Sequence, residues 1–226
     1  MSYRYVPRGG LGRFVHSLEE NVIAILLGLM TILTFINVVM RYVFQSSLIW
    51  GLELTLALFA WLVLIGVSHA VKINAHLGVD AVINLLSLPA RRVLALVAGA
   101  LCVFYAMLLM KGAWDYWAPF AGFEQTSGRW FPTGFVETRD RAFYETEQIP
   151  MPGFLAWMGG VFNEGEAYEK LPRMIPYLAL PLGVGLLLFR LLQALIMVWT
   201  GERASLIVSH EAEDAVEDVR HLNTGE

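Results

Sequence analysis

The chain has 226 residues, of which 57% are hydrophobic and only 16% charged, with a formal net charge of −4. A soluble domain carries roughly 45–50% apolar and about 25% charged residues. Both departures run toward a membrane protein and away from a soluble enzyme or a basic nucleic-acid binder. The single cysteine, Cys102, excludes an intrachain disulfide, and no Cys/His metal spacing is present.

Residues 1–20 are polar and basic, with Arg4, Arg8 and Arg13, and read as an N-terminal segment outside the membrane. Val22 to Val43 is the first long apolar run, interrupted by Asn37 and Arg41. A spanning helix needs about 20 mostly apolar residues, because the hydrocarbon core is roughly 30 Å thick. The run therefore reads as transmembrane helix 1 over residues 21–43. It is longer than the core of a secretory signal, and no small-residue cleavage site follows, so an uncleaved anchor is expected. The short turn Gln45-Ser46-Ser47 leads to a second run over 49–71, and helices one and two must form an antiparallel hairpin.

Residues 72–90 change character. Val79, Val82, Ile83 and Leu86 fall on one side of a helix, and Asp80, Asn84 and Ser87 on another. This pattern predicts an amphipathic helix in the membrane interface, between the second and third spans. Pro89 and Arg91-Arg92 end it. The third span covers 93–114, with Ala95 and Gly99 as a small pair for close helix approach. Residues 118–174 mix Gly, Pro, aromatic and charged residues and read as a partly ordered extramembrane loop with short helices. The fourth span covers 175–199. Pro176 suits a first helical turn, while Pro181 lies deeper and should kink the helix. The tail, 200–226, is acidic.

The fold class is thus an all-α integral membrane protein with four transmembrane helices and one interfacial helix. Lys and Arg gather in short cytoplasmic segments. Arg4, Arg8 and Arg13, together with Lys72, Arg91 and Arg92, are expected to put both termini in the cytoplasm and the 118–174 loop on the outer side.

No nucleophile–base pair, Gly-rich phosphate loop or paired-carboxylate spacing is visible, so no catalytic site, cofactor or metal is expected. Arg41 at the outer end of helix one and Glu53 at the outer start of helix two suit their helix termini. They read as a pair across the hairpin or as a contact with a partner subunit, against the plainer reading of two interfacial charges. Trp50, Trp114, Trp117 and Trp199 suit interfacial anchoring, whereas Trp61 is deep enough to pack between helices. His69 and His76 both sit at one end of a span with no second pair facing them, which argues against haem. Asn37 reads as a helix–helix hydrogen bond. No internal repeat or pair of broken helices marks a transport site of the chain's own.

The stretch Arg41-Tyr42-Val43-Phe44-Gln45-Ser46-Ser47-Leu48-Ile49-Trp50, then Glu53, Leu54, Phe59, Trp61 and Gly66, then His76-Leu77-Gly78-Val79-Asp80, resembles a known family. It is similar to the small membrane subunit, DctQ type, of tripartite ATP-independent periplasmic (TRAP) transporters. The resemblance covers residues 20–115 well; helix four matches in Leu171-Pro172 and Pro181. Leu52 stands where the family often has a second acid beside Glu53. The long outer loop resembles those of C4-dicarboxylate systems.

The resemblance implies a non-catalytic subunit in the bacterial inner membrane. Its implied partners are a large multi-span subunit carrying the sodium and substrate sites, a periplasmic substrate-binding protein and the lipid bilayer, with no nucleic acid. Arg41, Trp50, Glu53, Trp61, His76 and Asp80 are the candidate contacts to a partner or within the hairpin. A membrane anchor of a redox enzyme, or a non-transport scaffold, are the other classes that four apolar helices permit.

Overall fold

A computed structural model of the chain describes residues 9–73, 87–131, 134–135 and 144–201. Helix α1 is Gly9–Tyr42, of 34 residues. At about 1.5 Å per residue it is roughly 51 Å long, well beyond a hydrocarbon core of about 30 Å. The segment read as lying before the first span is therefore helical from Gly9 onward. Within α1, the hydroxyls of Thr31 and Thr34 donate to the carbonyls of Leu27 and Met30, which satisfies them inside an apolar helix.

A tight turn follows, with Gln45 at φ 50°. Asn37 Oδ1 accepts the Leu48 N–H at 3.3 Å, tying α1 to the residue before α2, Ile49–Ile73. Helix α3, Leu88–Trp117, has Ser87 at its start and a proline in its first turn. It runs into a 3₁₀ turn, Ala118–Ala121, which Gly122 ends in the left-handed region at φ 79°. The fourth span is split into α5, Met174–Tyr177, and α6, Ala179–Thr200, with Leu178 between them. Pro181 is the cause: it has no N–H for the Tyr177 carbonyl, and its ring crowds that group. Leu178 itself keeps right-handed helical angles, φ −57° and ψ −22°, so the helical path continues through this point.

Four helices, Gly12–Tyr42, Ile49–Ile73, Pro89–Ala121 and Met174–Thr200, are long and apolar enough to cross a membrane. They pack as α1 on α2, α2 on α6 and α6 on α3, so the fourth span lies between the second and the third. Gly183 on α6 faces Leu64 on α2 so closely that a Cβ there would collide with the Leu64 side-chain base. Gly99 on α3 is buried and Ala95 half-buried. Only 6% of the first span's apolar stretch is buried within the chain, against 28% of the fourth. Among the described residues, most of the apolar surface of α1 is left uncovered by the rest of the chain.

The surface helix expected near 79–88 falls largely on residues 74–86, outside those described. The shorter apolar helical segment that the described residues do contain, Gly153–Phe162, follows the third span instead. It includes α4, Met158–Phe162. The chain is mostly helical, but its loop also holds a small sheet. Strand β1, Glu145–Pro150, pairs antiparallel with β2, Lys170–Pro172, placing Glu145 opposite Pro172 and Pro150 opposite Lys170. The sheet is secured to α2, against which β1 packs.

Aromatic side chains join this loop to the spans. Trp117 Nε1 donates to the Met174 carbonyl at 2.9 Å, and Phe120 meets Tyr144 and Tyr177 edge to face. Trp114, Trp117 and Phe123 cluster beside them. Trp117, expected as an interfacial anchor, is buried as a packing and hydrogen-bonding residue.

Candidate functional site

Charged residues within apolar helices are costly and point to partners. At the end of the bundle where α1 begins and α6 ends, Glu19 of α1 gathers three such partners. Its Oε2 accepts from Lys72 Nζ at 2.7 Å and from His69 Nδ1 at 3.1 Å, and its Oε1 accepts from Arg190 at 2.5 Å. Arg190 also donates to Gln193 Oε1 at 2.9 Å. Lys72 is 5% exposed and Arg190 8%. The network fastens α1, α2 and α6 together through one carboxylate. With His69 neutral, one anion is shared by two cations. His16, one turn before Glu20 on α1, stacks on His69 with ring centroids 5.5 Å apart.

On the loop side, Lys111 and Asp115 of α3 form an ion pair at 2.8 Å. Asp115 Oδ1 accepts the Thr126 backbone N–H at 2.6 Å, and Lys111 donates to Thr126 Oγ1 at 2.7 Å. Thr126 is 1% exposed, so this pair anchors the start of the loop on α3.

Glu53 does related work on α2. Its carboxylate accepts the backbone N–H groups of Glu147 at 3.0 Å and Gln148 at 2.7 Å. Below it lies a cleft of about 230 Å³, lined by Leu56, Ala57, Ala60, Ile149, Pro176 and Tyr177 among others. Among the described residues no ion pair joins Glu53 to Arg41, which is exposed at the last turn of α1. The hairpin is tied through Asn37 instead. Trp50 and Trp61 are half-buried on α2. His76 and Asp80 lie outside the described residues.

Reversal of Glu53 to Lys removes both acceptors and puts a cation beside two donors. A hydrogen bond to a charged group contributes about 1.5–3 kcal/mol, so its loss speeds local opening about tenfold or more. Hydrogen exchange at Glu147 and Gln148 measures this, and unchanged protection there would refute the anchoring role.

Glu19, Arg190 and the Lys111–Asp115 pair lie outside the candidates that the sequence offers. A signal was present for each. Arg190 interrupts an apolar run, and Lys111 and Asp115 stand four apart on one helix face. Glu19 gave the least, because it sits among the polar residues that precede the apolar run.

Comparison with known proteins places this architecture. The family model for "Tripartite ATP-independent periplasmic transporters, DctQ component" matches residues 30–137. The chain is 45% identical to a C4-dicarboxylate TRAP transporter small permease protein, DctQ, of Vibrio cholerae, over 93% of this chain and 83% of that protein. It is 27% identical to the protein of the same description from Pseudomonas aeruginosa, over 93% of this chain and 96% of that one. A Rhodobacter capsulatus protein so described is 29% identical over 65% of this chain and 48% of its own length.

Proposed function

Because the chain belongs to the DctQ component family of tripartite ATP-independent periplasmic transporters, we propose that it is the small permease subunit of a C4-dicarboxylate uptake system and scaffolds the large membrane subunit. The chain is a transporter subunit and not an enzyme, and it is a protein of the bacterial inner membrane. The observation that carries the substrate class is the 45% identity with the Vibrio cholerae protein over 93% of this chain.

A TRAP small permease works with a large membrane subunit and a periplasmic binding protein. The proposed scaffolding role draws support from the bundle itself. Helix α1 leaves most of its apolar surface outside the chain's own core, with Ile25, Ile32 and Phe35 all exposed. Lipid tails are as apolar as leucine, so a second membrane protein adds packing there at little cost in desolvation. Three polar anchors hold the frame rigid: Glu19 at one end, Asp115 and Glu53 at the other. We place both termini in the cytoplasm and the sheet-bearing loop in the periplasm. Coupling to sodium then belongs to the large subunit.

Co-expression with the large subunit, followed by purification in mild detergent and reconstitution, tests this. The expected result is a stable complex that takes up a C4-dicarboxylate down a sodium gradient when supplied with binding protein. A chain that purifies alone, with the large subunit running separately, would sink the scaffold role. Uptake of some other solute by an intact complex would sink only the substrate class.

A further inference from the structure

We propose that His16, Glu20 and His69 form a binding site for a divalent transition metal, of the zinc class, that staples α1 to α2 at the end of the bundle where α1 begins and α6 ends. One ligand atom from each of the three lies within 4.8 Å of the others. His16 and Glu20 stand four apart on α1, with Nε2 and Oε1 3.5 Å apart, so they share a helix face. The His69 ring lies against the His16 ring, 5.5 Å between centroids and 12° from parallel. Two imidazoles and one carboxylate are a donor set suited to zinc, with water in the fourth position.

The hydrogen-bonding around His69 favours this use. Its Nδ1 faces Glu19 Oε2 at 3.1 Å. In the neutral ring Nδ1 then carries the proton and donates it, which leaves the Nε2 lone pair for a metal. A carboxylate behind a histidine is the usual outer partner of a histidine–metal bond, since it fixes the tautomer and orients the ring. Lys72 and Arg190 reach the same carboxylate. Glu19 and Glu20 together offset those two cations, so the group as a whole does not repel a metal ion.

Tetrahedral coordination at about 2.0–2.2 Å sets ligand atoms about 3.4 Å apart. The three side chains therefore draw together on binding. Glu20 has the freedom to do so, its side chain being 56% exposed. A bound metal adds a bridge between α1 and α2 beside the bonds of Glu19 to His69 and Lys72.

The test uses the full chain, freed of any histidine tag and held in detergent, with Co²⁺ as the probe and Zn²⁺ as competitor. The expected result is one Co²⁺ per chain with the visible bands of a four-coordinate site, displaced by Zn²⁺. His16→Ala should weaken binding by more than the about 10–100-fold that loss of an outer-shell partner causes, and Glu20→Gln should weaken it about tenfold or more. His69→Ala also removes a bond to Glu19, so His16→Ala, checked as monodisperse, is the decisive variant. His210→Ala should bind as the parent does. A folded parent chain that takes up no Co²⁺, or a His16→Ala chain that binds as tightly as the parent, overturns the proposal.

Discussion

Glu19→Gln destabilises the chain by about 3–5 kcal/mol, the range for removing one partner of a buried ion pair. The change leaves Lys72 and Arg190, each under a tenth exposed, without their shared anion. Arg190→Gln costs less, because Glu19 then keeps Lys72 at 2.7 Å and the local charges balance. This ordering follows from the count of charges and not from the count of bonds. Unfolding in mixed detergent micelles, followed by helical signal, measures both. Equal losses for the two variants would show that the cations do not share the carboxylate. A triple variant, Glu19→Gln with Lys72→Met and Arg190→Met, should recover most of the loss, since replacing a whole buried charge group by apolar residues is often neutral.

Gly183→Ala costs about 1–3 kcal/mol, the usual penalty for overpacking a well-filled contact. The added methyl meets the Cβ of Leu64, and the Leu64 Cα lies at 3.4 Å from it, so the obstruction is not a flexible side-chain tip. Helices α2 and α6 must separate, and α6 also carries Arg190 and the contact with α3. Gly185→Ala is the control: its nearest neighbour would be Met110 Sδ at 3.9 Å, an ordinary contact. The same micelle unfolding measurement applies. A Gly183→Ala chain as stable as Gly185→Ala would mean that the helix crossing adjusts freely at this point.

Both effects arise at contacts between spans that are distant in sequence. Glu19 and Arg190 are 171 residues apart. Arg92 at the start of α3 donates to the Trp199 carbonyl at the end of α6, a contact across 107 residues of chain. The same holds at the loop side, where Glu53 reaches the backbone of β1. Arg41 and Glu53 were natural partners on charge and proximity in the hairpin. The backbone donors of a docked strand face Glu53 instead, and no sequence pattern advertises a backbone N–H as free.

The four spans, their antiparallel order and the interruption before Pro181 follow from the sequence alone. Each depends on a local cause: about 20 apolar residues to cross a bilayer, a turn too short to recross it, and a proline without an N–H. Family membership was also legible, in the residues from Arg41 to Asp80. Tertiary structure decided what local causes leave open. It set the fourth span between the second and third, paired β1 with β2 across a long loop, and gave Glu19 three partners from two other helices. In an apolar surrounding nearly any pair of helical faces can pack. The choice falls to the few places where a glycine lets two helices approach closely or where a buried charge must find its counterion.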